Sequence, residues 1–293
     1  MHKAGFVNIV GNPNVGKSTL MNQLVGEKLS IATFKAQTTR HRIMGIVNTE
    51  DTQIVFSDTP GVLKPNYKMQ EMMLQFSESA LADADILLYV TDVVEDPEKN
   101  MDFLEKVSKM SIPVILLINK IDESDQKTLG NLVTKWHGLL PNAEILPISA
   151  KNKFGVDILL KRIHELLPES PAFFDKDQLT DKPAKFFVSE IIREKILRYY
   201  DKEIPYSVEV VVERFKEDDR QIHISAIIYV ERSSQKGIII GHQGMALKKV
   251  STEARKSLER FFDKKIFLET FVKVDKDWRN SQKELKHFGY SPE

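Results

Sequence analysis

Several short polar strings in the first half of the chain hold residue types suited to binding a triphosphate, a hard cation and a purine base. GNPNVGKS, Gly11 to Ser18, fits the pattern GxxxxGK[ST], and it lies between an apolar run and an amphipathic one. In that setting the backbone N–H groups from Asn14 to Thr19 can converge on a phosphate at a helix N-terminus. Gly11 and Gly16 let the main chain approach the ligand, with Asn12, Pro13, Asn14 and Val15 forming the loop between them. Lys17 is placed to reach the β- and γ-phosphates, and the Ser18 hydroxyl to bind Mg²⁺. DTPG, Asp58 to Gly61, closes a later apolar run. Asp58 would hold Mg²⁺ through water and the Gly61 N–H would meet the γ-phosphate.

The choice of base rests on NKID, Asn119 to Asp122, which ends the apolar run PVILLI. Ligands of α/β sheets sit at such strand ends. A carboxylate there accepts from both N1–H and N2–H₂ of guanine, and adenine has no such donor pair. Asp122 is therefore the expected base selector, with Asn119 bracing the neighbouring loops and Lys120 between them. In SAK, Ser149, Ala150 and Lys151, the Ala150 N–H is expected to donate to guanine O6. KAQTTRHR, 35–42, resembles a switch loop whose threonine binds Mg²⁺ and γ-phosphate. Thr39 is the expected ligand and Thr38 the alternative, because adjacent threonines are not separated by sequence.

These strings need a scaffold of strand ends. Six apolar runs, GFVNIVG, RIMGIVN, TQIVFSD, DILLYVTD, PVILLINK and EILPISA, alternate with helix-period segments, the mark of a parallel α/β sheet. A segment rich in proline and charge, 169–183, reads as a linker between a first domain at 1–168 and a second at 184–293. The second half reads helix, strand, strand, helix, helix, strand, and the tail DKDWRNSQKELKHFGY reads as a docking helix. The 293 residues carry 42 Lys+Arg against 42 Asp+Glu, but 236–265 holds eight basic residues against three acidic ones. No cysteine is present, which excludes disulfides and cysteine-bound zinc and suits a reducing cytosol. The N-terminus has no secretory-signal pattern, and no apolar run is long enough to span a bilayer, so a cytoplasmic protein is expected.

A second glycine turn, GHQG at Gly241–Gly244, lacks the GK[ST] ending of a nucleotide loop. A lone GxxG is usually a turn between helices. Here it follows SSQKGIII and precedes an amphipathic helix with Lys248, Lys249, Arg255 and Lys256. This arrangement resembles a type II KH domain, in which GxxG clamps the backbone of single-stranded nucleic acid. The resemblance implies that Gly241 and Gly244 admit the RNA backbone, His242 and Gln243 fill the variable positions, and Lys248 and Lys249 add charge. Ile239, Ile240 and Met245 would line the groove floor where bases lie, with core packing as the alternative for each.

Together GNPNVGKS, QTTR, DTPG, NKID and SAK look like a translation-factor-class GTPase. With the KH-like half they closely resemble the bacterial Era family over essentially the whole chain. The resemblance implies a Ras-like P-loop G domain followed by a type II KH domain. It further implies GTP/GDP and Mg²⁺ as ligands, binding to the 3′ end of 16S rRNA, and assistance in 30S subunit assembly. Lys17, Thr39 and Gly61 would then be the catalytic residues, without the Ras-type glutamine, since Val62 stands in its place. In some such GTPases an asparagine at the position of Asn14 holds K⁺, and this chain has that asparagine. A monomer is the default expectation. Competing readings are a GTPase associated peripherally with the inner face of the cell membrane through its basic helix, and a scaffold that binds GTP without hydrolysis.

Overall fold

The computed structural model describes residues 2–291, which fall into two compact units. The first contains the chain up to Asn66 and Gln70–Asp181; the second contains Tyr67–Met69 and Lys182–Ser291. The first unit alternates strands and helices: β1 (Lys3–Gly11), α1 (Lys17–Val25), β2 (Ile43–Asn48), β3 (Thr52–Asp58), α2 (Lys68–Ala82), β4 (Ile86–Asp92), α3 (Met101–Ser108), β5 (Val114–Asn119), α4 (Gln126–Leu139), β6 (Glu144–Pro147) and α5 (Val156–Leu166). The sheet order is β2-β3-β1-β4-β5-β6.

Every pair in this sheet is parallel except β2 with β3. That exception departs from the all-parallel expectation and has a simple cause. Only three residues separate the two strands, whereas a parallel return needs a crossover of a dozen or more. The Thr49 N–H donates to the Thr52 carbonyl at 2.8 Å to close the hairpin. The inner strands are covered on both faces, and all seven residues of β4 are buried, which explains its unbroken apolar run. The register matters for function. Ile9 lies beside Asp58, Gly11 beside Val90, and Asp92 beside Asn119, so the carboxyl ends of β1, β3, β4 and β5 come together at one edge.

The segment read as a linker is built into the first unit as far as Asp181. Residues 168–181 run along the sheet margin, where the Ile46 N–H donates to the Leu179 carbonyl (2.8 Å) and the Met44 N–H to Asp181 Oδ1 (2.8 Å). Thr180 Oγ1 donates to the Met44 carbonyl at 2.7 Å. The buried Gln53 accepts from the N–H groups of Phe173 (2.7 Å) and Phe174 (3.0 Å). The unpaired side of edge strand β2 is thereby closed.

The second unit runs α6 (Ala184–Tyr199), α7 (Ile204–Ser207), β7 (Glu209–Glu217), β8 (Gln221–Val230), α8 (Ser233–Ile240), α9 (Met245–Phe262), β9 (Lys265–Val274) and α10 (Gln282–His287). In its three-stranded sheet, β7-β8-β9, the first pair is antiparallel and the second parallel. Alternate residues Ile222, Ile224, Ala226 and Ile228 of β8 face a core shared with Val188, Ile192 and Ile196 of α6 and Val250, Ala254 and Leu258 of α9. The tail packs on this unit through buried Trp278, Leu285 and Tyr290, and the Tyr290 hydroxyl donates to Glu209 at 2.6 Å. No helix among the described residues is long and apolar enough to cross a membrane.

Candidate functional site

The loop from Gly11 to Ser18 leaves β1 and enters α1, whose first turn carries no acidic residue to compete with an anion. Lys17 is buried and donates from Nζ to the carbonyls of Gly11 (3.0 Å) and Asn12 (2.8 Å), which folds it back over the loop. Burial pushes its ammonium down to about 8, while the carboxylates of Asp58 and Glu95 work in the opposite direction. A cleft over this loop is lined by Pro13, Asn14, Gly16, Ser18, Thr19, Thr39, Gly61 and Lys120, among others. Asn14 is exposed and left-handed, with φ 66°.

Three oxygen-bearing side chains from three elements meet beside the loop. Ser18 Oγ donates to Asp58 Oδ2 at 2.7 Å and lies 2.8 Å from Thr39 Oγ1, which donates to the same Asp58 oxygen at 3.3 Å. Asp58 is fully buried, its other oxygen Oδ1 has no hydrogen-bond partner, and burial raises its carboxyl above the ordinary range. A buried carboxylate with an orphaned oxygen and two hydroxyls beside it fits a hard cation that prefers oxygen ligands. Thr38 points elsewhere: its Oγ1 donates to the Lys35 carbonyl (2.5 Å) and pairs with Thr33 Oγ1 (2.7 Å).

At the base end, Asn119 donates from Nδ2 to the Val15 carbonyl (2.8 Å) and accepts at Oδ1 from the Ala150 N–H (2.9 Å). It thus ties the phosphate loop to SAK. The Ala150 N–H is therefore engaged within the protein, which differs from the free donor expected for guanine O6. Asp122 is exposed and accepts from Ser149 Oγ at 2.6 Å through Oδ1. Lys120 pairs with Asp92 at 2.5 Å, and Lys151 is exposed.

Sequence reasoning missed the loop between β4 and α3. Asp92 anchors Lys120, Glu95 lies near Lys17 and accepts from Thr91 Oγ1 at 2.8 Å, and Asn100 donates to the Asn12 side chain and to the Val62 carbonyl (3.1 Å). Single polar residues at irregular spacing leave no pattern to find. Only the unbroken apolar run of β4 pointed to this place, by delivering its carboxyl end to the cleft.

In the second unit, GHQG joins α8 to α9. Gly241 has φ 71° and ψ −179°, and Gly244 is left-handed at φ 75°. His242, Gln243, Met245, Lys248 and Lys249 are exposed around the turn, and Lys249 Nζ sits 4.5 Å from the centroid of the Tyr199 ring. Ile239 corrects the expectation of a groove floor: it is fully buried in the core, and its carbonyl accepts the Tyr200 hydroxyl at 2.7 Å. Ile240 is half-buried against the same core. A run of three isoleucines has no period, so the helix that forms there decides which of them turns inward.

Comparison with known proteins agrees with both halves. A family described as 50S ribosome-binding GTPase matches residues 6–120, and one described as KH domain matches 203–279. GTPase Era of Clostridium kluyveri is 44% identical over 292 residues, covering 99% of this chain and 100% of the relative. GTPase Era of a Geobacter species is 46% identical over 290 residues, covering 98% of each. A crystal structure of Era with MgGDPNP and nucleotides 1506–1542 of 16S ribosomal RNA superposes with TM-score 0.95 at 37% identity, over 100% of both chains. A variant of Aquifex aeolicus Era bound to GDP·AlF4⁻ gives TM-score 0.94 at 37% identity, over 99% of this chain and 100% of that one.

Proposed function

The chain belongs to the Era family of GTPases, and on that premise we propose a Mg²⁺-dependent GTPase whose KH unit grips the 3′ end of 16S rRNA during 30S assembly. The observation that carries the catalytic half is the meeting of Ser18 and Thr39 at Asp58 Oδ2, with Asp58 Oδ1 left unpartnered. Ser18 and Thr39 would hold Mg²⁺ directly and Asp58 through water. When bound, the ion supplies positive charge to the β- and γ-phosphate oxygens. In the reaction a water oxygen bonds to the γ-phosphorus while the bond to the β–γ bridging oxygen breaks, giving GDP and phosphate. Lys17 and the loop amides stabilise the charge that gathers on the departing side, and the Gly61 N–H faces the γ-phosphate. Val62 is 4% exposed and packs with Leu87 and Phe103, so its side chain belongs to the core and does not orient water. Slow intrinsic turnover follows.

Asn14 is the proposed K⁺ ligand: it is exposed, lines the cleft, and has a left-handed backbone. Equal phosphate release in Na⁺ and K⁺ would remove that role. For the RNA half, the exposed GHQG turn with Lys248 and Lys249 supports a backbone grip, and nucleotide state is proposed to govern its affinity. A cytoplasmic monomer that reaches the 30S subunit fits this reading, and the membrane alternative gains no support from an isolated interfacial helix, because α9 is a core helix. The test measures single-turnover GTP hydrolysis with Mg²⁺ or a chelator, and filter binding to an RNA with the 16S 3′ sequence in GTP-analogue and GDP states. Hydrolysis without Mg²⁺, or no preference for that RNA over a scrambled one, would overturn the corresponding half.

A further inference from the structure

Asn100 occupies the N-cap position of α3, where an asparagine side chain ordinarily accepts from the first N–H groups of the helix. It does not do so here: the N-cap makes no side-chain hydrogen bond to the helix. Its amide instead donates to the Asn12 side chain in the phosphate loop and, at 3.1 Å, to the Val62 carbonyl just after DTPG. A helix start has given up its own cap to join two segments of the cleft. Asn12 is buried at 3% exposure and lies near Glu95, which accepts from Thr91 Oγ1 at the end of β4.

The Val62 peptide is thereby fixed at both ends, since its N–H donates to the Gly11 carbonyl at 3.0 Å. The preceding residues are pinned too. Thr59 Oγ1 donates to the Ile9 carbonyl (2.7 Å), and Ser77 Oγ to the Pro60 carbonyl (2.8 Å). Gly61 lies so close to Pro13 that a Cβ would sit 2.6 Å from Pro13 Cα, so this stretch is pressed against the phosphate loop. With Val62 turned into the core, the backbone of 61–62 is what this segment can offer to the reaction.

We infer that Asn100 is a positioning residue for GTP hydrolysis, joining Asn12 to the Val62 carbonyl and so holding the Gly61–Val62 backbone against the phosphate loop at the γ-phosphate. This rests on the GTPase reading above. Its effect falls chiefly on the end where the γ-phosphate lies, because it touches the phosphate loop only at the Asn12 side chain, while the inner phosphates are held by the Gly11–Ser18 backbone amides and the base by Asp122 and Asn119. The hydrolytic rate therefore depends on it more than GDP affinity does.

Asn100→Asp separates this role from a structural one. A carboxylate caps a helix as well as an amide does, but it has no N–H to give and repels the Val62 and Asn12 oxygens. Asn100→Ser likewise caps α3 and is too short to reach Val62, so it decides the matter if the charged variant folds poorly. Both are made in the full-length chain and assayed for kcat and KM with GTP, GDP dissociation constant by fluorescence titration, and thermal midpoint. The expected result is a kcat reduced about tenfold or more, equivalent to about 1.4 kcal/mol, with GDP affinity within about twofold and a protein that remains folded at the assay temperature, its midpoint lowered by the loss of the two hydrogen bonds. A kcat within about twofold of wild type overturns the inference, as does GDP binding that weakens in step with kcat. A wild-type protein that fails to hydrolyse GTP in the same assay would instead sink the GTPase reading itself.

Discussion

The two glycines of GHQG do different work, and single substitutions expose the difference. At Gly244 the backbone is left-handed, but an added Cβ would meet nothing within 4 Å. Alanine there faces a left-handed backbone cost of about 1–2 kcal/mol, offset by about 0.4–1 kcal/mol from a less flexible unfolded chain. The net loss is about 0–1.6 kcal/mol. Gly241 combines φ 71° with ψ −179°, a region that is essentially closed to other residues, and its Cβ would lie 2.6 Å from Ala246 Cβ. Backbone strain of about 1–3 kcal/mol and overpacking of about 1–3 kcal/mol then act together, for about 2–6 kcal/mol. Gly241→Ala should therefore unfold at clearly lower urea than Gly244→Ala, with the second unit's transition moved in both and the GTPase rate retained. Gly244→Asp extends the test. It places a carboxylate in open space beside the phosphate path, so RNA binding should weaken more than tenfold while the urea midpoint stays near that of Gly244→Ala. Equal midpoints for the two alanine variants would refute the steric argument, and RNA binding at wild-type strength by Gly244→Asp would refute the assignment of the loop.

Thr39→Ala removes a hydroxyl from the Ser18–Asp58 cluster and should slow Mg²⁺-dependent hydrolysis by about 10²-fold or more, whereas Thr38→Ala only loosens the turn at 33–38 and should cost far less; the reverse order in single-turnover rates would reverse the ligand assignment. Tyr200→Phe leaves the Ile239 carbonyl without its buried donor, so the second unit should lose about 1–3 kcal/mol in denaturant titrations and RNA binding should weaken, with GTP hydrolysis unaffected. Lys17, held down to about 8 by burial, regains its proton beside phosphate; GDP binding should take up a fraction of a proton that grows as pH rises through that range, and affinity should fall as pH rises. Calorimetry in two buffers of different ionisation enthalpy reads that uptake directly, and none would contradict the burial argument.

The nucleotide motifs were legible because their chemistry demands fixed spacings at strand ends, and the observed register delivers Gly11, Asp58 and Asn119 to one edge. Adjacent Thr38 and Thr39 were not separable, since one residue of rotation decides which hydroxyl faces Ser18. Asn100, Glu95 and Asp92 were invisible for another reason: they act through tertiary contacts with no local pattern. Composition misled at 169–181, where proline and charge suggest a free linker but Gln53 and the edge of β2 supply hydrogen-bond partners from far upstream in the chain. At Ile239 three identical side chains left the inward face undecided.

The segment that closes β2 also sets where the chain can be cut. Ending an isolated GTPase fragment near Pro168, as the motifs alone would suggest, strips the Met44 and Ile46 N–H groups of their partners and uncovers a strand edge able to pair with a second molecule. A fragment extended through Asp181 keeps that edge covered. The two boundaries should behave differently on a sizing column, with the shorter fragment prone to self-association and the longer one monodisperse.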